Sequence, residues 1–327
     1  MKRPWLAPLV PVYWAGLWVK DALRAEAKRL ARPVISVGSL SAGGAGKTPV
    51  VMALVELLGR HGVTADVLSR GYGRGSGVVE LVDAAGDAGR YGDEPMLMAR
   101  AGIEVWVGAE RVEAGRAAEK YGQAQVHVLD DGFQHRGLGR DLDVVLLTAE
   151  DAGDWLLPAG NLREPLGALA RAGAVVVREE EMAGLAGLCA GKEVWVVRRE
   201  LVLPAERPGR VVAFCGLARP EGFFGMVRGA GVEVVGTHAF GDHHAYTGAD
   251  VEWLLAAAER VGAEGFVTTG KDAVKLTAGM VERLGRVVVG ELKASFLDEA
   301  GVWERIREAV TKQTTAKTNT EVLASPE

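Results

Sequence analysis

Six consecutive residues, Gly43-Gly44-Ala45-Gly46-Lys47-Thr48, have the composition of a loop that grips polyphosphate, and two adjacent acids follow at Asp130-Asp131. Backbone N–H groups of a glycine-rich turn that opens a helix point at phosphate oxygens, and glycines let the chain approach closely. The ATP-binding stretch is therefore read as Ser41, Ala42, Gly43, Gly44, Ala45, Gly46, Lys47 and Thr48. Lys47 bridges the outer phosphates and the Thr48 hydroxyl ligates Mg²⁺. The strict pattern has glycine five residues before Gly46, where Ser41 stands; Gly43 and Gly44 within the turn are expected to compensate. Asp130 and Asp131 end the strand-like run Val126–Leu129, at the carboxyl end where open α/β sheets bind ligands. Neighbouring side chains on an extended segment point apart. One acid is thus expected to reach Mg²⁺ and the other a water or second metal, the alternative being that both cap the following turn.

Other residues carry weaker signals. Arg70 and Arg74 flank a Gly-Tyr-Gly turn, and the planar guanidinium fork suits a substrate or nucleotide phosphate as well as it suits a solvated turn. Arg111, Arg116 and Arg163 have similar claims. His135 beside Gln134 contacts phosphate or finishes a turn. Asp93, ahead of Glu94-Pro95, has good helix-capping chemistry. Cys189 and Cys215 form no CxxC pair and read as small core residues.

The elements that must position these groups alternate. Strand-like runs fall at 33–38, 65–69, 78–82, 104–107, 126–129 and 143–147, with helical segments at 50–60, 91–101 and 110–121. The alternation resumes with strands at 174–178, 193–198, 210–215, 233–237, 265–269 and 286–289 and helices at 221–230, 248–261 and 302–310. This predicts an α/β fold: a mostly parallel, P-loop NTPase-like sheet, a second, smaller α/β domain and an N-terminal amphipathic helix. The loop-rich stretch 151–165 is read as the separator. The expected division is 1–30, a membrane-associating helix; 31–168, the P-loop core; 169–310, the second domain, with its last helix able to pack back on the core; and 311–327, a polar disordered tail.

The net charge of −5 leaves no basic excess for nucleic acid. Nothing in the sequence marks an obligatory protein partner. Three of the eight tryptophans, Trp5, Trp14 and Trp18, lie in the first eighteen residues, followed by Lys20, Arg24, Lys28 and Arg29. The longest uncharged run, 4–19, is too short and too broken by proline to span a bilayer. Aromatic residues at helical spacing beside positive charge suit an interfacial helix, each basic residue contributing about 1 kcal/mol at an anionic surface. The alternative is a helix packed on its own domain or on a second subunit.

The motif set resembles a known family. Residues 36–49 with the phosphate loop, Ser69–Arg74, Gly92-Asp93-Glu94-Pro95, Asp130–His135, Arg140–Asp143, Leu157–Gly160, Leu162–Pro165, Asp242–Tyr246 and Lys271–Leu276 are similar, in order, to the tetraacyldisaccharide 4′-kinases. The resemblance implies a lipid A biosynthetic kinase at the cytoplasmic face of a Gram-negative inner membrane. Its reaction would pass the ATP γ-phosphate to the 4′-hydroxyl of a tetraacylated glucosamine disaccharide 1-phosphate, with the N-terminal helix on the membrane. Carried onto this sequence, it implies Asp93 as the base, His243 as its dyad partner at the substrate, catalytic service from Lys47, Asp130 and Asp131, and Glu164 as a further magnesium or hinge residue. Ser39 and Gly270 stand where the family often has Asn and Glu. The alternative from another class is a membrane-associated P-loop ATPase switch without a lipid acceptor. That reading leaves Asp93 and the second half of the chain without a task.

Overall fold

The computed structural model describes residues 2–324, with the side chains of 2–311. A 3₁₀ turn at Pro4–Leu9 leads into α1 (Val10–Ala22). The first lobe then runs β1 (Val34–Ser39), α2 (Lys47–Arg60), β2 (Ala65–Ser69), β3 (Glu80–Leu81), α3 (Ala88–Tyr91), α4 (Asp93–Arg100), β4 (Val105–Val107), α5 (Arg111–Tyr121), β5 (Val126–Asp130), β6 (Leu142–Leu146), α6 (Ala149–Ala152), β7 (Ala174–Arg178), α7 (Met182–Leu185) and β8 (Val194–Val202). The second lobe contributes β9 (Arg210–Cys215), α8 (Pro220–Gly229), β10 (Glu233–Ala239), α9 (Gly248–Val261), β11 (Gly265–Thr269), α10 (Gly270–Ala273), α11 (Ala278–Leu284) and β12 (Val287–Phe296). The chain returns through α12 (Glu299–Ala324).

All twelve strands form one sheet in the order β10-β9-β11-β12-β8-β7-β6-β1-β5-β2-β4-β3. Pairing is parallel except at the β3–β4 edge and between β8 and β12. β1 is buried along its whole length and lies between β5 and β6. A β-branched run covered on both faces takes that central place. The apolar side of α2, with Val51, Leu54 and Leu58 fully buried, covers the same core.

The two lobes meet through long strands. The first half of β8 pairs with β7 as far as Arg178↔Val197, and its second half pairs antiparallel with β12 from Val197↔Phe296 to Val202↔Glu291. β12 in turn pairs in parallel with β11 through its own first half. Second-lobe strands therefore run against first-lobe strands, and the second lobe stands beyond the carboxyl edge of the first. The carboxyl ends of β9 and β11 face those of β1 and β5 across a cleft.

Three boundaries differ from the sequence expectation. β7 and β8, assigned by sequence to the second domain after 168, belong to the first-lobe sheet, because Val175–Val177 pair in parallel with β6 on one side and β8 on the other. The stretch read as a separator lies against the phosphate loop instead: Ala42 N donates to Asn161 O at 2.8 Å and Arg163 N to Leu40 O at 2.7 Å. Where a disordered tail from 311 was expected, the backbone of α12 continues to Ala324, and 325–327 lie outside the described residues. Before that, α12 packs on α2, with Val302 and Ile306 buried, Trp303 stacked on His61 at 4.1 Å and Glu299 paired to Arg60 at 2.8 Å.

Candidate active site

The phosphate loop hangs between β1 and α2. Gly43, Gly44 and Gly46 adopt φ of 73°, 63° and 85°, the left-handed region where a side chain is strained. Ser41 does not, so the strict pattern's glycine is unnecessary there; its backbone instead bridges to Leu162, and its carbonyl accepts from Ser39 Oγ at 3.0 Å. Lys47 opens α2 with Nζ 3.3 Å from Asp131 Oδ1 and 3.4 Å from Ser39 Oγ. Thr48 follows, buried at the same helix start.

Asp130 and Asp131 leave β5 in different environments. Asp130 is 2% exposed; Ser69 Oγ donates to its Oδ2 at 3.2 Å, while Oδ1 is buried with no hydrogen-bond partner. Burial, reinforced by the negative charges of Glu94 and Asp131, pushes its carboxyl up to about 7 despite Lys47. Asp131 has φ 49° and accepts from Arg163 Nη1 at 2.8 Å. Burial alone would raise it, but Lys47 and Arg163 prevail and hold it below the usual carboxylate range. Glu164, expected among the metal ligands, instead pairs with Arg171 at 2.9 Å. Among the described residues no three His, Cys, Asp or Glu side chains are arranged to hold a metal. The oxygen donors left at the loop are therefore Thr48, Asp130 and Asp131.

The second cluster is built from both lobes. Asp93 is the first residue of α4; Gly92 takes the cap position, so the capping role suggested by Asp93-Glu94-Pro95 is not what its carboxylate does. Its Oδ2 lies 3.1 Å from His243 Nδ1, on the loop after β10, and 3.7 Å from Lys275 Nζ. His243 is held at φ 57°, and its Nε2 is 3.4 Å from Lys271 Nζ, which also pairs with Glu94 at 3.3 Å. Lys275 is anchored by the buried Asp272 at 2.8 Å, and Asp272 in turn accepts from Gly216 N at 3.0 Å. Glu94 ties this cluster to the first, since its charge is felt at Asp130. α4 and α10 approach closely here: a Cβ on Gly270 would stand 2.8 Å from Leu97 Cδ1, the movable end of that side chain.

The remaining candidates separate. Arg74 folds back on its own turn, with Nη1 donating to Val78 O at 2.8 Å and Nη2 buried without a hydrogen-bond partner. Arg70 is exposed beside the loop and its charge reaches Arg111. Arg111 is buried under the site, pushed down to about 10 by burial, and donates to Gly108 O and Ala109 O. His135 is pushed down to about 4 by burial and by Arg111, so it is neutral near pH 7, and its Nε2 is buried without a hydrogen-bond partner. Arg116 pairs with Glu113 on the outer face of α5. Both cysteines are buried and free.

Sequence reasoning missed Glu94, Lys271 and Lys275, although the last two are spaced four apart within a motif already singled out. It also missed Arg178, whose Nη2 donates to Ala45 O at 3.0 Å from the end of β7. A lone arginine ending a strand carries no signal that its partner is a backbone carbonyl 133 residues away.

Comparison with known proteins agrees with this construction. The family described as tetraacyldisaccharide-1-P 4′-kinase (LpxK) matches residues 2–311. The tetraacyldisaccharide 4′-kinase of Koribacter versatilis is 41% identical over 313 residues, covering 91% of this chain and 97% of its own length. That of Maricaulis maris is 36% identical over 317 residues, covering 93% and 91%. The crystal structure of LpxK from Aquifex aeolicus in complex with ATP superposes with a TM-score of 0.77 at 32% identity, covering 93% of this chain and 98% of that one. A match along nearly the whole chain, in sequence and in fold, has one reading: the chain belongs to the tetraacyldisaccharide 4′-kinase family.

Proposed function

We propose that the Asp93–His243 pair takes the proton from the 4′-hydroxyl of the lipid A disaccharide precursor while the ATP γ-phosphate held at Gly43–Thr48 passes to that oxygen. The chain is an ATP-dependent kinase of its family, and the cross-cleft pair at 3.1 Å is the observation that carries the mechanism. A sugar hydroxyl is a poor nucleophile, so base assistance is worth about 10²–10⁴ in rate. Sequence reasoning gave the proton to Asp93. Asp93 Oδ2 is already shared between His243 and Lys275, and the Asp93 side chain is less exposed than that of His243, 14% against 32%. An imidazole also matches neutral operating pH better than a carboxylate in general. We therefore assign the proton to His243 Nε2 and the orienting role to Asp93, which holds the opposite ring nitrogen. The acceptor hydroxyl displaces Lys271 from Nε2 and leaves that ammonium on Glu94.

Thr48, Asp130 and Asp131 offer oxygen donors only, and the unpartnered Asp130 Oδ1 marks a place for a cation. This set fits Mg²⁺, which keeps phosphate oxygens and waters in most of its shell. When bound, Mg²⁺ neutralises charge between the outer phosphates. Lys47 carries the remaining positive charge, and Arg163 fixes Asp131 through its guanidinium.

The acceptor's acyl chains and the membrane are assigned to the N-terminal helix. α1 buries none of its residues, and Trp5, Val12, Trp14, Trp18 and Leu23 stand exposed. Its footing on the protein is polar: Tyr13 OH donates to Arg163 O at 3.0 Å, and Arg3 N to Ala159 O at 2.6 Å. No helix among the described residues is long and apolar enough to cross a membrane. An interfacial position at the cytoplasmic face of the inner membrane is the placement this supports. The test is transfer of radiolabelled γ-phosphate to the disaccharide lipid in mixed micelles. Undiminished transfer by a folded His243→Gln variant would sink the mechanism.

A further inference from the structure

One contact on the phosphate loop has no part in the roles above. Arg219, which ends the connection from β9 to α8, comes from the second lobe and lies across Gly44. A Cβ on Gly44 would meet Arg219 Nε at 3.2 Å and Cδ at 3.3 Å. Its Nη2 pairs with Glu150 of α6 at 2.5 Å, and its Nη1 is buried with no hydrogen-bond partner. The Glu150 side chain is 61% exposed, and an ion pair with so wet a partner contributes little to stability. Fold stability therefore gives no reason to hold a guanidinium against the crest of the loop with one nitrogen unpartnered.

The neighbouring arginine differs in each respect. Arg178 braces the loop through the Ala45 carbonyl and is neutralised by Glu181 at 3.0 Å. Its charge already stands near Arg219, which raises the cost of placing a second cation there unless an anion joins them. Gly44 N–H belongs to the set that faces phosphate, so the anion that fits this place is the terminal part of a nucleoside triphosphate.

We propose that Arg219 is a further catalytic residue, an arginine supplied by the second lobe that binds the phosphate in transfer. The proposal rests on reading Gly43–Thr48 as the ATP phosphate site. In the step, the acceptor oxygen bonds to the γ-phosphorus and the bond from phosphorus to the β,γ-bridging oxygen breaks. The electron pair leaves on ADP, and the hydroxyl proton goes to His243. Arg219 Nη2 exchanges Glu150 for the oxygens on which charge grows, and Nη1, unpartnered before, gains an acceptor. β9, α8 and the His243 loop belong to the same lobe, so one lobe supplies both the base and the guanidinium to the phosphate. An arginine in this role typically contributes 10³–10⁵ in kcat in related chemistry, and a single electrostatic donor about 10²–10³.

The test compares Arg219→Gln, Glu150→Gln and Lys47→Ala in the full chain, with ATP and the disaccharide lipid in mixed micelles. Arg219→Gln is expected to lose at least about 100-fold in kcat while its affinity for a non-hydrolysable ATP analogue stays within about threefold. Its affinity for fluorescent ADP with aluminium fluoride and acceptor, which mimics the phosphate in flight, should fall at least about tenfold. Glu150→Gln should keep or raise kcat. The proposal is overturned if Arg219→Gln retains kcat within threefold, if it loses analogue affinity by the same factor as kcat, or if Glu150→Gln falls as far as Arg219→Gln. Lys47→Ala separates the underlying reading: parent-like analogue binding in that variant would remove the phosphate site itself, whatever Arg219 does.

Discussion

Replacing Asp130 by Asn should make the protein more stable at pH 8 while abolishing transfer. The carboxyl is 2% exposed, and burial with Glu94 and Asp131 nearby raises it from the ordinary 3.8 to about 7. Between those values the folded protein binds more protons than the unfolded chain, so stability falls as pH rises and the loss is complete above about 7. At pH 8 the ionised group costs on the order of 2–4 kcal/mol, reduced by whatever relaxation the site allows. Asparagine keeps the shape and the Ser69 contact without the charge, and Lys47 retains Asp131. Urea melts of parent and variant without Mg²⁺ or nucleotide should therefore diverge with rising pH and converge below pH 4. Loss of the buried oxygen donor should remove activity at every pH. A variant less stable than the parent at pH 8, or a gap independent of pH, would refute the claim that this acid is held against its own burial.

Asp93→Asn should reduce kcat by about 10²–10⁴-fold with little change in the KM for ATP, measured by lipid phosphorylation. A loss under threefold would show that the carboxylate does not orient His243. The double substitution Trp14→Ala with Trp18→Ala should abolish sedimentation with anionic vesicles and leave binding of an ATP analogue intact, since neither ring is buried. Equal sedimentation of both proteins would return α1 to a purely structural role. Gly38→Ala should cost about 1–3 kcal/mol in thermal or urea unfolding. A Cβ there would stand 2.5 Å from Phe133 Cβ and 2.8 Å from its backbone nitrogen.

Much of this was legible in the sequence, for reasons that differ by element. The phosphate loop announces itself because glycine at left-handed positions and a Lys-Thr pair opening a helix are local requirements. Strands such as 174–178, 210–215 and 265–269 are equally local, being short runs rich in β-branched residues. The domain boundary was misplaced because membership of a sheet is decided by pairing. Nothing within Val175–Val177 says that its neighbours are β6 and β8. The loop 151–165 misled for the converse reason: its irregular composition reads as a linker, yet its backbone is held by the segment before the phosphate loop. Glu164, read as a magnesium or hinge residue, stands at the end of the same loop, where its carboxylate pairs with Arg171.

The candidate active site is divided between two lobes whose strands run in opposite directions within one sheet, and that division bears on how the reaction is timed. β8 and β12 are joined antiparallel, so the second lobe is carried on two long strands, with Asp272, Lys275, His243 and Arg219 at or after its carboxyl ends. The first lobe holds the phosphate loop, the paired acids and Asp93. On the proposed mechanism, neither lobe has both a place for phosphate and a place to put the acceptor's proton. Among the described residues, the ion pairs that join the lobes at the site include Asp93 with His243 and Lys275, Glu94 with Lys271, and Arg219 with Glu150. Contacts of that kind exchange readily for a charged ligand, whereas the buried cores of each lobe do not. A hinge at β8–β12 would then let the base meet the phosphate only when both substrates have replaced those bridges. On the proposed mechanism, transfer to water in place of the acceptor is thereby disfavoured.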